Sequence, residues 1–121
     1  MTRLATHLDK AKRFRATAEK IDDPASLVEI WFLSAYHYIE ACAAKHRMHI
    51  QKHQRVAGEL ERNPTIFGKD TKRVVEAFRY LDNEARAKFV YGESGTEADL
   101  ARARQSFETI MSVCERLLNE P

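Results

Sequence analysis

Apolar positions recur along this chain at spacings of three and four, and no stretch alternates with a spacing of two, so the predicted elements are helices. Leu4, Leu8, Ala11, Phe14, Ala18 and Ile21 form one stripe, which predicts an amphipathic helix over about residues 3–20. Asp23 and Pro24 then read as a helix start. The carboxylate can accept from the free amides of a first turn, and a proline at the first helical position has no amide to leave unpaired. The following stretch, LVEIWFLSAYHYIEACAA from Leu27 to Ala44, is apolar on almost every face. It predicts a helix surrounded by other helices, with the rest of the chain as its cover.

Residues 45–53, KHRMHIQKH, lose this periodicity. Either the helix continues, or it breaks near Arg47 to Ile50; the break is preferred. A short helix over about 51–62 would bury Val56, Ala57 and Leu60, and Asn63-Pro64 would end it. Ile66 and Phe67 would plug the end of the core. Asp70 is the expected cap of a helix over about 71–90, whose apolar face is Val74, Val75, Phe78, Leu81, Ala85 and Phe89. Gly92, Ser94 and Gly95 mark a turn. Thr96 with Asp99 resembles a capping box for a last helix over about 97–119. The expected fold is all-α: an up-and-down helical bundle of four long helices plus one short helix, in a single domain over residues 1–121.

A chain of 121 residues can bury enough surface to need neither disulfide nor metal for stability. Cys42 and Cys114 lie among apolar neighbours, which points to reduced core thiols and a cytoplasmic location. No signal peptide or spanning segment is visible, and Glu29, His37 and Glu40 spoil the most apolar run as a membrane helix. The net charge of +2 is too balanced to predict nucleic-acid binding by itself, although residues 1–20 hold six basic and two acidic side chains.

Three histidines, His46, His49 and His53, would share an arc of roughly 60° on an unbroken helix. No carboxylate completes a metalloprotease or bundle di-metal pattern beside them, and the only His/Glu pair at that spacing is the reversed His37-x-x-Glu40. No metal and no cofactor are therefore expected. His37, in the most apolar stretch, reads as a hydrogen-bonded core histidine or a binding residue. Asp82 four residues before Arg86 reads as a surface ion pair. Phosphate loops, nucleophile elbows and zinc-spaced cysteine pairs are all missing from the sequence.

The segments SAYHYIEACAAKH, KHQR and YLDNEARAKFVYG together resemble HEPN-type domains (higher eukaryotes and prokaryotes nucleotide-binding). That resemblance spans about residues 28–118 and implies a helical bundle, commonly a homodimer. It implies either a ribonuclease or a catalytically silent module that binds a protein partner, nucleotide or RNA in a prokaryotic defence or toxin–antitoxin type system. A nucleotidyltransferase or an antitoxin is the implied partner. Active members carry Arg, four to six residues, then His. Here Arg86 is followed, after four residues, by Tyr91. Tyrosine has an ordinary pKa near ~10 and is a weak base at neutral pH. Arg47 and His53 have the spacing but lie earlier in the chain. The expectation is a non-catalytic module. The alternative is a metal-independent ribonuclease using an Arg/His pair across a dimer. Its candidate catalytic residues are His53, Arg47 and Arg86, and the candidate binding residues are His37, Arg55 and Tyr91.

Overall fold

A computed structural model describes residues 2–120. All regular structure among them is helical: α1 (Arg3–Ala18), α2 (Pro24–Lys45), α3 (Val56–Arg62), α4 (Thr71–Arg79), α5 (Arg86–Phe89) and α6 (Glu97–Leu118). A π-helical turn, Tyr80–Ala85, joins α4 to α5, and single 3-10 turns, His53–Arg55 and Gly68–Asp70, lead into α3 and α4. None of the described helices is long and apolar enough to cross a membrane.

The α2 helix is the inner rod. It packs against α1, α4, the π turn, α5 and α6. Trp31, Phe32, Tyr38 and Ile39 are buried along it, with Trp31 stacked near Phe107 of α6 and Phe32 against Phe78 of α4. Cys42 and Cys114 are free and buried in the same core, and burial pushes the Cys114 thiol well up. Arg15 reaches across from α1 to Glu115 of α6, and both bond the Tyr38 hydroxyl of α2.

The helix starts follow the local chemistry. Asp23 accepts from the amide of Ser26 at 3.0 Å, with Pro24 in the first turn. Thr96 and Asp99 form a reciprocal capping box. Asp70 departs from expectation. It sits at the cap position of α4 but makes no capping bond there. Its buried carboxylate instead accepts from Arg73 at 2.9 Å and from Arg116 of α6, tying the start of one helix to the end of another.

The expected break after α2 is a Schellman turn. The amide of Met48 bonds the Ala43 carbonyl at 2.9 Å and that of Arg47 bonds Ala44 at 3.0 Å. This places Arg47 in the left-handed region, at φ 62°, where glycine is the usual residue. Gln51, at φ 73°, closes the same loop. His46, His49 and His53 therefore do not share a helical face. The segment expected to be one helix over 71–90 is divided by the π turn, which adds a residue to one turn and resets the face on which Asp82 and Arg86 lie.

Candidate functional site

Two polar clusters are built on α2, one around Glu29 and one around Glu40. The first collects residues from α2, the π turn, α5 and the His53–Arg55 turn. Arg86 is 12% exposed at its side chain. Its Nε and Nη2 donate to the two carboxylate oxygens of Glu29, at 3.1 and 3.3 Å. Its Nη1 donates to Asp82 at 3.0 Å, and Nη2 also donates to the Tyr91 hydroxyl at 3.0 Å. Four of the five guanidinium N–H groups are thus engaged. The guanidinium also lies 4.1 Å above the Phe32 ring. Burial lowers the Arg86 pKa, but the bonds and charge of Glu29, with Asp82, outweigh it and hold the group above the ordinary arginine value. The other oxygen of Asp82 lies 3.2 Å from Nδ1 of His53, whose ring meets Phe32 edge-on. A cleft of about 320 Å³ opens beside His53 and Asp82, walled by Ala57, Phe78 and Arg79.

The Asp82–Arg86 contact is therefore not a surface pair, since both side chains are largely enclosed. Of the residues singled out in the sequence, His53, Arg86 and Tyr91 come together here. Arg47 and Arg55 do not: both are exposed and belong to neither cluster, and Arg47 serves the turn after α2. Glu29 was missed, because nothing local marks a partner 57 positions before Arg86.

The second cluster lies toward the other end of α2. The side chain of Glu40 is fully buried. Its Oε1 accepts from the amide of Ile50 at 2.8 Å, and its Oε2 accepts from the amide of Gln51 and the Tyr36 hydroxyl, each at 3.2 Å. Nδ1 of His49 approaches Oε2 at 3.1 Å, and Nε2 of His7, from α1, lies 4.0 Å from it. Behind His7, its Nδ1 meets Nδ1 of His37 at 2.8 Å, so one ring donates and the other accepts. Burial lowers the His37 pKa to about 4, helped by His7 and Lys10 and opposed by Glu40. Burial also holds His7 below the usual histidine value, against the pull of Glu40 and with His49, Lys10 and Arg3 adding to the effect. Burial and the neighbouring Glu40 raise the Tyr36 hydroxyl.

His37 thus belongs with His7, far from the Arg86 group in its contacts. His7 carried no expectation from the sequence, and Glu40 was weighed as a ligand only in the reversed His37-x-x-Glu40 pair. A usable signal existed: a glutamate inside the most apolar run of a chain is almost never buried without partners. Comparison of the chain with protein-family models, with curated proteins and with solved structures finds no match.

Proposed function

We propose that this chain is a HEPN-like helical module that binds a protein partner and does not cleave RNA. On this reading its helices form an up-and-down bundle, it pairs as a homodimer, and its partner is an antitoxin or a nucleotidyltransferase of a prokaryotic defence or toxin–antitoxin type system. The observation that carries the reading is the saturation of Arg86. A phosphate oxygen needs free N–H donors and net positive charge. Here one guanidinium faces two carboxylates, and a single N–H remains uncommitted. Tyr91 stands where the family's active members carry a histidine. At 74% exposure it is the most exposed large apolar side chain among the described residues, and it is fixed at its hydroxyl by Arg86. An anchored tyrosine beside an arginine suits a protein contact better than a phosphate contact.

The alternative, a metal-independent ribonuclease, draws support from the meeting of His53 and Arg86 on the same aspartate. It requires RNA to displace Glu29 and Asp82 from the guanidinium. Purified protein incubated with single-stranded and structured RNA in chelator separates the two readings. No cleavage above buffer is expected. Cleavage abolished by both His53→Ala and Arg86→Ala would overturn the non-catalytic reading. Light scattering at ~100 µM checks the dimer; a monomer at that concentration removes it, since this Kd limit corresponds to a free energy of only about −5 kcal/mol.

A further inference from the structure

We propose that His7, Glu40 and His49 form a binding site for a single divalent zinc ion, with at least one coordination position open to solvent. This inference is independent of the reading of Arg86. The three residues come from three separate parts of the fold: α1, α2 and the loop between α2 and α3. Their ligand atoms lie within 4.8 Å of one another. Tetrahedral zinc with bonds of about 2.1 Å holds its ligand atoms roughly 3.4 Å apart. Glu40 to His49 is already shorter than that, at 3.1 Å, and Glu40 to His7 is 4.0 Å. The adjustment left falls mainly on His49, which is loop-borne and exposed.

Two imidazoles and one carboxylate are a donor set that suits zinc and leaves room for water. The surroundings resemble what holds ligands in place at metal sites. His7 uses Nδ1 toward His37, which leaves Nε2, the nitrogen that faces Glu40, as its ligand atom. That is the arrangement in which a second residue fixes the ring and tautomer of a ligating histidine. Glu40 is oriented by two backbone amides, and the single hydroxyl proton of Tyr36, 3.2 Å from Oε2, has a shorter acceptor in the Gln51 carbonyl at 2.8 Å, which frees Oε2 to turn to a metal. The loop that delivers His49 is held between two left-handed residues, Arg47 and Gln51. Zinc would bind His49 in the neutral tautomer that carries its proton on Nε2 and leaves the Nδ1 lone pair free; a ring that donates from Nδ1 to Glu40 reaches that tautomer by exchanging the proton through solvent, before the bond forms and with no redox step.

The test uses the tag-free full chain, stripped with chelator and titrated with zinc chloride by calorimetry, and with cobalt chloride by visible absorption. One ion per chain is expected, with cobalt bands of a low-symmetry, four- or five-coordinate site. His49→Ala removes an exposed ligand without opening the core and should weaken binding at least tenfold. His7→Ala should do the same, with circular dichroism to verify the fold. His37→Phe keeps all three ligands and should weaken binding about tenfold, the usual size of a supporting-residue effect. His46→Ala, a neighbouring exposed histidine, should bind as the unaltered protein does. Equal affinity in the unaltered protein and His49→Ala, or no uptake of zinc at ~100 µM, would overturn the proposal.

Discussion

The two cluster-forming carboxylates of α2, Glu29 and Glu40, are eleven positions apart, which places them within ~20° of each other around the helix and about 16 Å apart along it. They share a side of the same rod and have opposite chemistry. Glu29 meets a permanent cation in a two-pronged ion pair, and Asp82 adds a second anion to the same guanidinium. That cluster is self-contained: its donors face its acceptors, and little is left for a small ligand. Glu40 meets backbone amides, a hydroxyl and imidazoles. Imidazoles can give up a proton and offer a lone pair, so Glu40 keeps a capacity that Glu29, held by an arginine, lacks; in the first cluster the one imidazole, His53, faces Asp82 instead. The lesson is that burial and hydrogen bonding of a carboxylate do not by themselves distinguish a structural joint from a ligand set. The identity of the partner does.

The largest effect should come from Glu40→Ala. It strands the amides of Ile50 and Gln51, loosens the loop and should cost about 3 kcal/mol in urea unfolding. Arg86→Ala comes next. It leaves Glu29 and Asp82 facing each other in a partly enclosed site, and about 2 kcal/mol is expected. A triple variant, Arg86→Met with Glu29→Gln and Asp82→Asn, should recover most of that loss if the joint is purely structural. No recovery would mean that the cluster is more than a joint.

Asp70 is a third carboxylate, held by arginines as Glu29 is, and it checks the arginine-held class. The hydrogen bond from Arg116, and then Arg73, holds its pKa below the ordinary aspartate value. Its folded value is therefore lower than its unfolded value. The stability it contributes is fully present above about pH 4 and is lost as the pH falls through the lower folded value. Asp70→Asn should cost about 1 kcal/mol at pH 7 and flatten the acid end of the stability curve. An unchanged acid limb would contradict the assignment.

Smaller effects are expected in the loop. Arg47→Gly relieves a side chain in the left-handed region and should stabilise the protein by about 0.5–1 kcal/mol, read as a rise in Tm. A loss instead would show that the Arg47 side chain has a role of its own. His49→Ala, without metal, should change stability by less than ~0.5 kcal/mol. That small effect beside a large loss of zinc affinity is what separates a ligand from a structural residue.

Much of the helical scaffold was legible because its signals are local. Asp23-Pro24 and Thr96-x-x-Asp99 act within four residues, and the apolar wrap of α2 announced its central place. Asp70 misled for a physical reason: two arginines compete with the amides of α4 for its oxygens, and the charged partners win. The π turn left no trace, since YLDNEA is as good an α-helical sequence as its neighbours. The same holds for the left-handed Arg47, at a position where glycine would have been the visible sign. The break itself was legible from the lapse of apolar periodicity after Lys45, but not the path of the loop beyond it, so the set the fold assembles takes only His49 from the three neighbouring histidines and adds His7 and Glu40. The resemblance singled out His53, Arg86 and Tyr91, which meet in the fold, together with Arg47 and Arg55, which do not join them. The two acids that neutralise Arg86 depend on tertiary packing, and only Asp82 stood close enough in sequence to be noticed.

The contrast between the two clusters is most directly tested by long-range ¹H–¹⁵N spectra of the histidine rings during a zinc titration. On this contrast, Nε2 of His7 and Nδ1 of His49 should shift together, saturating at one equivalent, while the ring of His53 beside Asp82 stays unmoved. A shift of His53 at or before that point, or no shift at His7, would contradict it.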